Sequence, residues 1–295
     1  MRGQGIAFRM RFKKPKPLSH KARARPLAGF PEVIAGFREF WQPAYDRFPK
    51  FYKAASDLVP LVNQVIRRPL SGRLQIVLGF MTGIVSNSFG ALITLSMNGF
   101  GHDALRISRG MFEVSVNATY LQRHPDEVDD FLDYHWVDQK KRLEYMELHS
   151  PESLGHLSAD IVAQVNAEYA KVLPRFADKR GKPRGSWCKK NIRDRADEVG
   201  LGMFYPTFYA YASGVHHGDF AGLAAQAIEN RLKVDIAPSF AGIKDALMMG
   251  HQCVIVVVDS INRLANLGID EQLNAACAAY VEVWRTDGRG DSSSS

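Results

Sequence analysis

The chain has 295 residues, 46% hydrophobic and 23% charged, enough for a large core and the balance of an ordinary globular protein. Its formal charge of +7 is uneven: the first 26 residues hold nine of the 38 Lys/Arg and no acid, leaving 29 basic residues against 31 acidic ones. The body is therefore near neutral, which argues against a globally nucleic-acid-binding surface. Three widely separated cysteines, Cys188, Cys253 and Cys277, give neither a disulfide framework nor metal-ligand spacing and suit a reducing cytosol. No apolar h-region follows the basic N-terminus, so a cytoplasmic location is expected.

Residues 1–26 read as a disordered basic tail, because they lack the apolar area needed to order themselves. From Pro31 to Arg68, aromatics at three- and four-residue spacing predict helices interrupted by Pro43, Pro49 and Pro60. Leu74 to Phe100 carries no charge over 27 residues, long enough to span a membrane. Eight Ser, Thr, Asn and Gln residues dilute it, so the expectation is one long buried helix ending near Gly99 and Gly101, with no membrane partner.

The most informative stretch follows, His102 to Tyr120. At about 100° per residue, His102, Arg106, Arg109, Glu113, Asn117 and Tyr120 fall on one stripe roughly 80° wide. The rest of the circumference is mostly apolar, as expected of a helix inside a protein. Two arginines and a glutamate are costly there unless paired, so the stripe marks a polar site. Pro125 then opens a helix with acids in its first turns and Lys140, Lys141 and Arg142 later, the order the helix dipole favours. Asp133, Asp138 and Lys141 are its residues able to face the polar site.

A helix over about Ser158–Phe176 is followed by ADKRGKPRGS, which reads as a mobile basic loop. Ile192, Ala196 and Val199 form a narrow helical stripe, with Gly200 as its C-cap. In Met203–His217, a helical reading places Tyr205, Tyr209 and His216 within about 40°, with Ser213 and His217 on the shoulder, before Gly218 and Asp219 break the helix. His216 is expected at the site, and His217 at the helix end. After a polar connection over Asn230–Ser239, two more helices are expected, VIVVVD at 254–259 among them; 287–295 read as a disordered C-terminus. The fold class is all-α, a single multi-helix bundle over 27–286 flanked by the two tails.

The segments ALRISRGMFEVSVNATYL, FLDYHWVDQKKRLEYMELH and SWCKKNIRDRADEVGLGMFYPTFYAYASGVHHG, taken in order, resemble an uncharacterised bacterial all-helical domain family over roughly residues 70–260. Its pattern is Arg-x3-Glu in an apolar helix, then Phe-x-Asp-Tyr, then Trp, then Tyr-x3-Ser-x2-His. The matching positions are Arg109, Glu113, Asp133, Tyr134, Trp187, Tyr209, Ser213 and His216. The resemblance implies a helical fold and a shared polar centre, with no activity attached. Such domains are compared with the HEPN superfamily of metal-independent RNases, an analogy of helical architecture. The Arg-to-His spacing of that superfamily has one literal match, Arg142 and His149, at the frequency chance supplies.

If the arginine stripe faces His216, a cation, a carboxylate, an imidazole and tyrosine hydroxyls meet in one pocket. Arg109, Glu113 and His216 are then the candidate catalytic residues, and His102, Arg106, Tyr209 and Ser213 the candidate ligand-binding ones. That set suffices for 2′-hydroxyl attack on RNA without metal or cofactor, the chemistry of an RNase-type effector of a bacterial defence or toxin system. The alternative is a non-catalytic module binding a nucleotide, another phosphate ligand or a protein partner, or pairing with a second copy. A purely structural Arg109–Glu113 bridge explains the same residues without a ligand.

Overall fold

The computed structural model describes residues 39–218 and 238–287. The expectations for the basic tail at 1–26, for the connection at 230–237 and for 288–295 lie outside the described residues. Those described are mostly helical, with two isolated bridges, Phe100 to Ser239 and Ala177 to Pro183, and no strand among them. In chain order the helices are α1 Trp41–Arg47, α2 Pro49–Ile66, α3 Arg73–Met97, α4 Gly101–Arg123, α5 Val128–His149, α6 Pro151–Leu154, α7 Ala159–Phe176, α8 Ile192–Glu198, α9 Ala210–His217, α10 Ile243–Ala265 and α11 Asp270–Asp287. A 3-10 turn, Pro125–Glu127, precedes α5, and a π turn, Tyr205–Tyr209, leads into α9.

Helix α4 packs against both α3 and α10, which also pack on each other. Its apolar residues Leu105, Met111, Phe112, Val116 and Leu121 are all buried, as the hydrophobic circumference predicts. Gly101 makes the approach of α4 to the start of α10 possible, because a Cβ there would overlap the Ala241 carbonyl oxygen. Beside it the Ser239 N–H donates to the Gly99 carbonyl at 3.0 Å, tying the two helix entrances together. Gly101 thus opens α4, whereas the sequence placed it at the end of the preceding helix. VIVVVD is helical, inside α10, and its β-branched side chains fill the core beside α4. The buried apolar cluster extends from Phe48 to Val283.

Three local expectations change. Pro60 does not interrupt α2; it lies on the exposed face of the continuous helix Pro49–Ile66, and Pro43 falls in the first turns of α1. Only the single residue Phe48 separates the two helices, and Pro49 takes the N1 position, where its missing N–H is harmless. Second, α3 is long and apolar enough to cross a membrane, yet it is buried on one face only. Its inner face packs on α4 and α10 through Leu78, Val85 and Leu92, while Ile76, Phe80 and Ile84 are exposed on the outer one, because α4 and α10 cover α3 from one side.

The third change is the segment 177–186, which is fastened at several points. The Asp178 carboxylate accepts the backbone N–H groups of Arg180 and Lys182 at 2.8 and 2.9 Å, closing a tight turn. The Arg184 guanidinium then donates to the backbone carbonyls of Arg175, Ser186 and Trp187 and lies 5.0 Å from the Phe176 ring centre. Ser158, read from the sequence as the first residue of the helix, is instead its N-cap and accepts the Ile161 N–H at 3.3 Å.

Candidate functional site

The polar stripe of α4 meets α9, which runs antiparallel to it. The π turn sets up this meeting: the Ala210 N–H bonds the Tyr205 carbonyl five residues back, where an α-helix would bond four residues back. Pro206 sits at the start of that turn, where its lack of an N–H is tolerated. The Tyr205 and Tyr209 rings are consequently stacked, 4.8 Å apart at 26°. Gly218, in the left-handed region at φ 64°, ends α9.

At the centre of the seam, the Arg109 Nε donates to Ser213 Oγ at 3.1 Å and its Nη2 to the Tyr209 hydroxyl at 3.3 Å. Nη2 also pairs with Glu113 Oε1 at 3.1 Å, one turn along the same helix. The Tyr209 hydroxyl donates in turn to Glu113 Oε1 at 2.7 Å, so arginine, tyrosine and glutamate form a closed triangle. Burial first, then the Glu113 carboxylate, pushes the Tyr209 phenol up to about 12, which keeps it a donor at neutral pH. The Arg109 guanidinium also lies 5.3 Å from the Tyr209 ring centre.

One turn earlier, the Arg106 Nε donates to the Val215 carbonyl at 3.3 Å, and its Nη1 pairs with Asp103. Both arginines are therefore held at their Nε edge by α9. They differ in exposure: the Arg109 side chain is 22% accessible and that of Arg106 40%. Beyond Tyr205, the exposed Arg193 approaches the ring centre to 6.0 Å. Arg193, Tyr205, Tyr209 and Arg109 thus form a continuous chain of ring and guanidinium contacts from the exposed Arg193 to the buried Tyr209 and the half-buried Arg109.

The structure brings Arg106, Arg109, Glu113, Tyr209 and Ser213 together. His216 is exposed in the last turn of α9 with its ring edge against His217 at 5.0 Å, and it makes no hydrogen bond to Arg109, Glu113 or Tyr209. His216 thus stands beside the seam, one residue from the Val215 carbonyl that accepts from Arg106, without joining its hydrogen bonds. His102 lies half-buried in the first turn of α4, at the other end of the stripe from Glu113.

The remaining motif residues serve other contacts. Asp133 pairs with Arg175 of α7, and the Tyr134 hydroxyl donates to the Arg184 carbonyl at 2.6 Å and accepts from Lys141 at 2.8 Å. Asp133 and Lys141 thus face α7 and the 177–187 segment, as does Asp138 through its pairing with Lys141. They do not face the arginines.

Sequence reasoning missed Arg195. It is 6% exposed, donates to Asn117 Oδ1 on the α4 stripe and lies 5.0 Å from the Trp187 ring centre. Burial lowers its pKa, opposed by the nearby Cys188, Tyr120 and Glu113. The signal was present: Arg195 falls within about 60° of both Ile192 and Val199, on the stripe read as apolar. The seam continues to Tyr120, buried, whose hydroxyl donates to Glu127 at 2.9 Å.

Among the described residues no three His, Cys, Asp or Glu side chains come together in a way that would hold a metal ion. Compared with known proteins, residues 75–231 match the profile of a family of unknown function, DUF5677. No curated protein matches the chain, and no solved structure does.

Proposed function

The chain belongs to this family of unknown function, and from its own site we propose that it is a non-catalytic helical module that binds a phosphate-bearing ligand, RNA, across Arg106 and Arg109. One observation carries the reading. Two guanidinium groups in successive turns of α4 are each anchored through Nε to α9, on Val215 and Ser213. With Arg106 Nη1 on Asp103 and Arg109 Nη2 on Tyr209 and Glu113, each guanidinium is fixed and, among the described residues, keeps one terminal amino group, Arg106 Nη2 and Arg109 Nη1, for a ligand without the entropy loss of ordering a free side chain. Two neighbouring guanidinium groups complement the oxygens of a phosphate.

Glu113 in this reading fixes Arg109 in place. Binding without cleavage is the expectation because His216 stands outside the hydrogen-bonded cluster. The test is fluorescence anisotropy of a labelled single-stranded RNA oligonucleotide with the full chain, followed by electrophoresis of the same RNA with and without chelator. Arg106→Gln is expected to weaken binding several-fold and the double variant with Arg109→Gln more, with the RNA intact throughout. Unchanged affinity in the double variant would refute the reading. Cleavage abolished by His216→Ala would replace it with the RNase alternative.

A further inference from the structure

One cleft among the described residues lies away from the arginine seam. It opens between α4, α10, α11 and the turn after α8, with a volume of about 540 Å³. Its floor is apolar: Leu201 and Ile255 are 8% and 6% exposed, and Val256 is half-buried beside them. Three primary carboxamides, Gln122 from α4, Gln252 from α10 and Asn274 from α11, stand on its walls. Among the described residues none of the three side chains makes a hydrogen bond to the protein, so each has a carbonyl and an amino group unspent.

The charges around the cleft are already used. Asp259 and Arg263 pair at 2.8 Å, and Arg123 donates to the backbone carbonyls of Glu198 and Val199. A ligand complementary to this lining is neutral, has flat apolar faces for the floor and carries adjacent donors and acceptors along an edge. That is the chemistry of a nucleobase, and a carboxamide bonds the donor–acceptor edge of adenine in bidentate fashion. The volume leaves room for the attached ribose.

We infer that this cleft, lined by Gln122, Gln252 and Asn274, is a binding site for an adenine nucleoside, separate from the arginine seam. The experiment is isothermal titration of the full chain with adenosine, which has no phosphate for the arginines to hold. Purine riboside, lacking the exocyclic amine, and ribose 5-phosphate are titrated beside it. Adenosine is expected to bind at millimolar concentration or below, purine riboside roughly tenfold more weakly, and ribose 5-phosphate not at all in this cleft.

Gln252→Leu is expected to weaken adenosine roughly tenfold. Asn274→Ala, at an exposed position on α11, gives a second reading should the α10 substitution unfold the protein. Arg109→Gln should leave adenosine affinity unchanged. No heat with adenosine, equal affinity for purine riboside, unaltered binding in both amide variants, or loss of binding in Arg109→Gln would each overturn the assignment.

Discussion

His251 should make this protein acid-sensitive over a defined range. The side chain lies on α10, 3% exposed, with its ring parallel to Tyr280 at 4.3 Å and the Phe89 ring edge-on at 6.4 Å. Its Nε2 is buried with no hydrogen-bond partner in the described residues. Burial lowers its pKa from 6.5 to about 4, against a smaller opposing pull from the Asp57 carboxylate. The unfolded chain therefore binds this proton below pH 6.5, the folded chain only below about 4. Stability from the neutral imidazole is complete above pH 6.5 and is lost progressively as the pH falls toward 4. Two and a half decades of differential proton affinity correspond to about 3 kcal/mol. The assay is urea denaturation followed by circular dichroism at a series of pH values, for the wild type and for His251→Phe, which keeps an aromatic ring against Tyr280. The wild type is expected to lose about 3 kcal/mol more than the variant between neutral pH and pH 4. Parallel loss in the two proteins would refute the reasoning, as would an imidazole resonance of His251 titrating at its ordinary value.

Two further expectations follow from packing. Arg195→Met removes the donor to Asn117 and the cation over Trp187; it should lower stability by about 1–3 kcal/mol in chemical denaturation, with Arg195→Lys recovering only part because lysine lacks the planar fork. Gly101→Ala forces the entrances of α4 and α10 apart and should lower the melting temperature by several degrees, roughly the 1–3 kcal/mol of an overpacked site. A wild-type melting temperature in that variant would mean the contact with Ala241 is not tight.

The central helix was legible because its pattern is long and strong. The apolar residues and polar stripe between His102 and Tyr120 specify both the buried circumference of α4 and the seam facing α9. Cap positions such as Gly200 and Gly218 were equally readable, since each satisfies a local backbone requirement. What escaped was non-local. Nothing local distinguishes the α-helical stretch at Ala210–His217 from the wider π turn that precedes it, and the turn controls how the two tyrosines stack. Arg195 looked like one more surface charge in IRDRADE until Trp187 and Asn117 covered it. The half-exposed state of α3 was hidden for the same reason: its composition is apolar all round, and only the placement of α4 and α10 decides which face is buried. Pro60 shows the reverse case, a local rule overridden because its missing donor falls on the exposed side of a helix held by its other face.

The central claim is that Arg106 and Arg109 contact phosphate, and the salt dependence of RNA affinity tests it most directly. Each phosphate contact to a single strand contributes about 0.7 to the slope of log K against log salt. Whatever the nine basic residues at 1–26 contribute is common to wild type and variant and cancels in the difference. Measured over a range of potassium chloride concentrations, the double variant Arg106→Gln, Arg109→Gln should have a slope shallower than wild type by about 1.4. Identical slopes would show that neither guanidinium meets a phosphate, and the seam would then be a structural network alone.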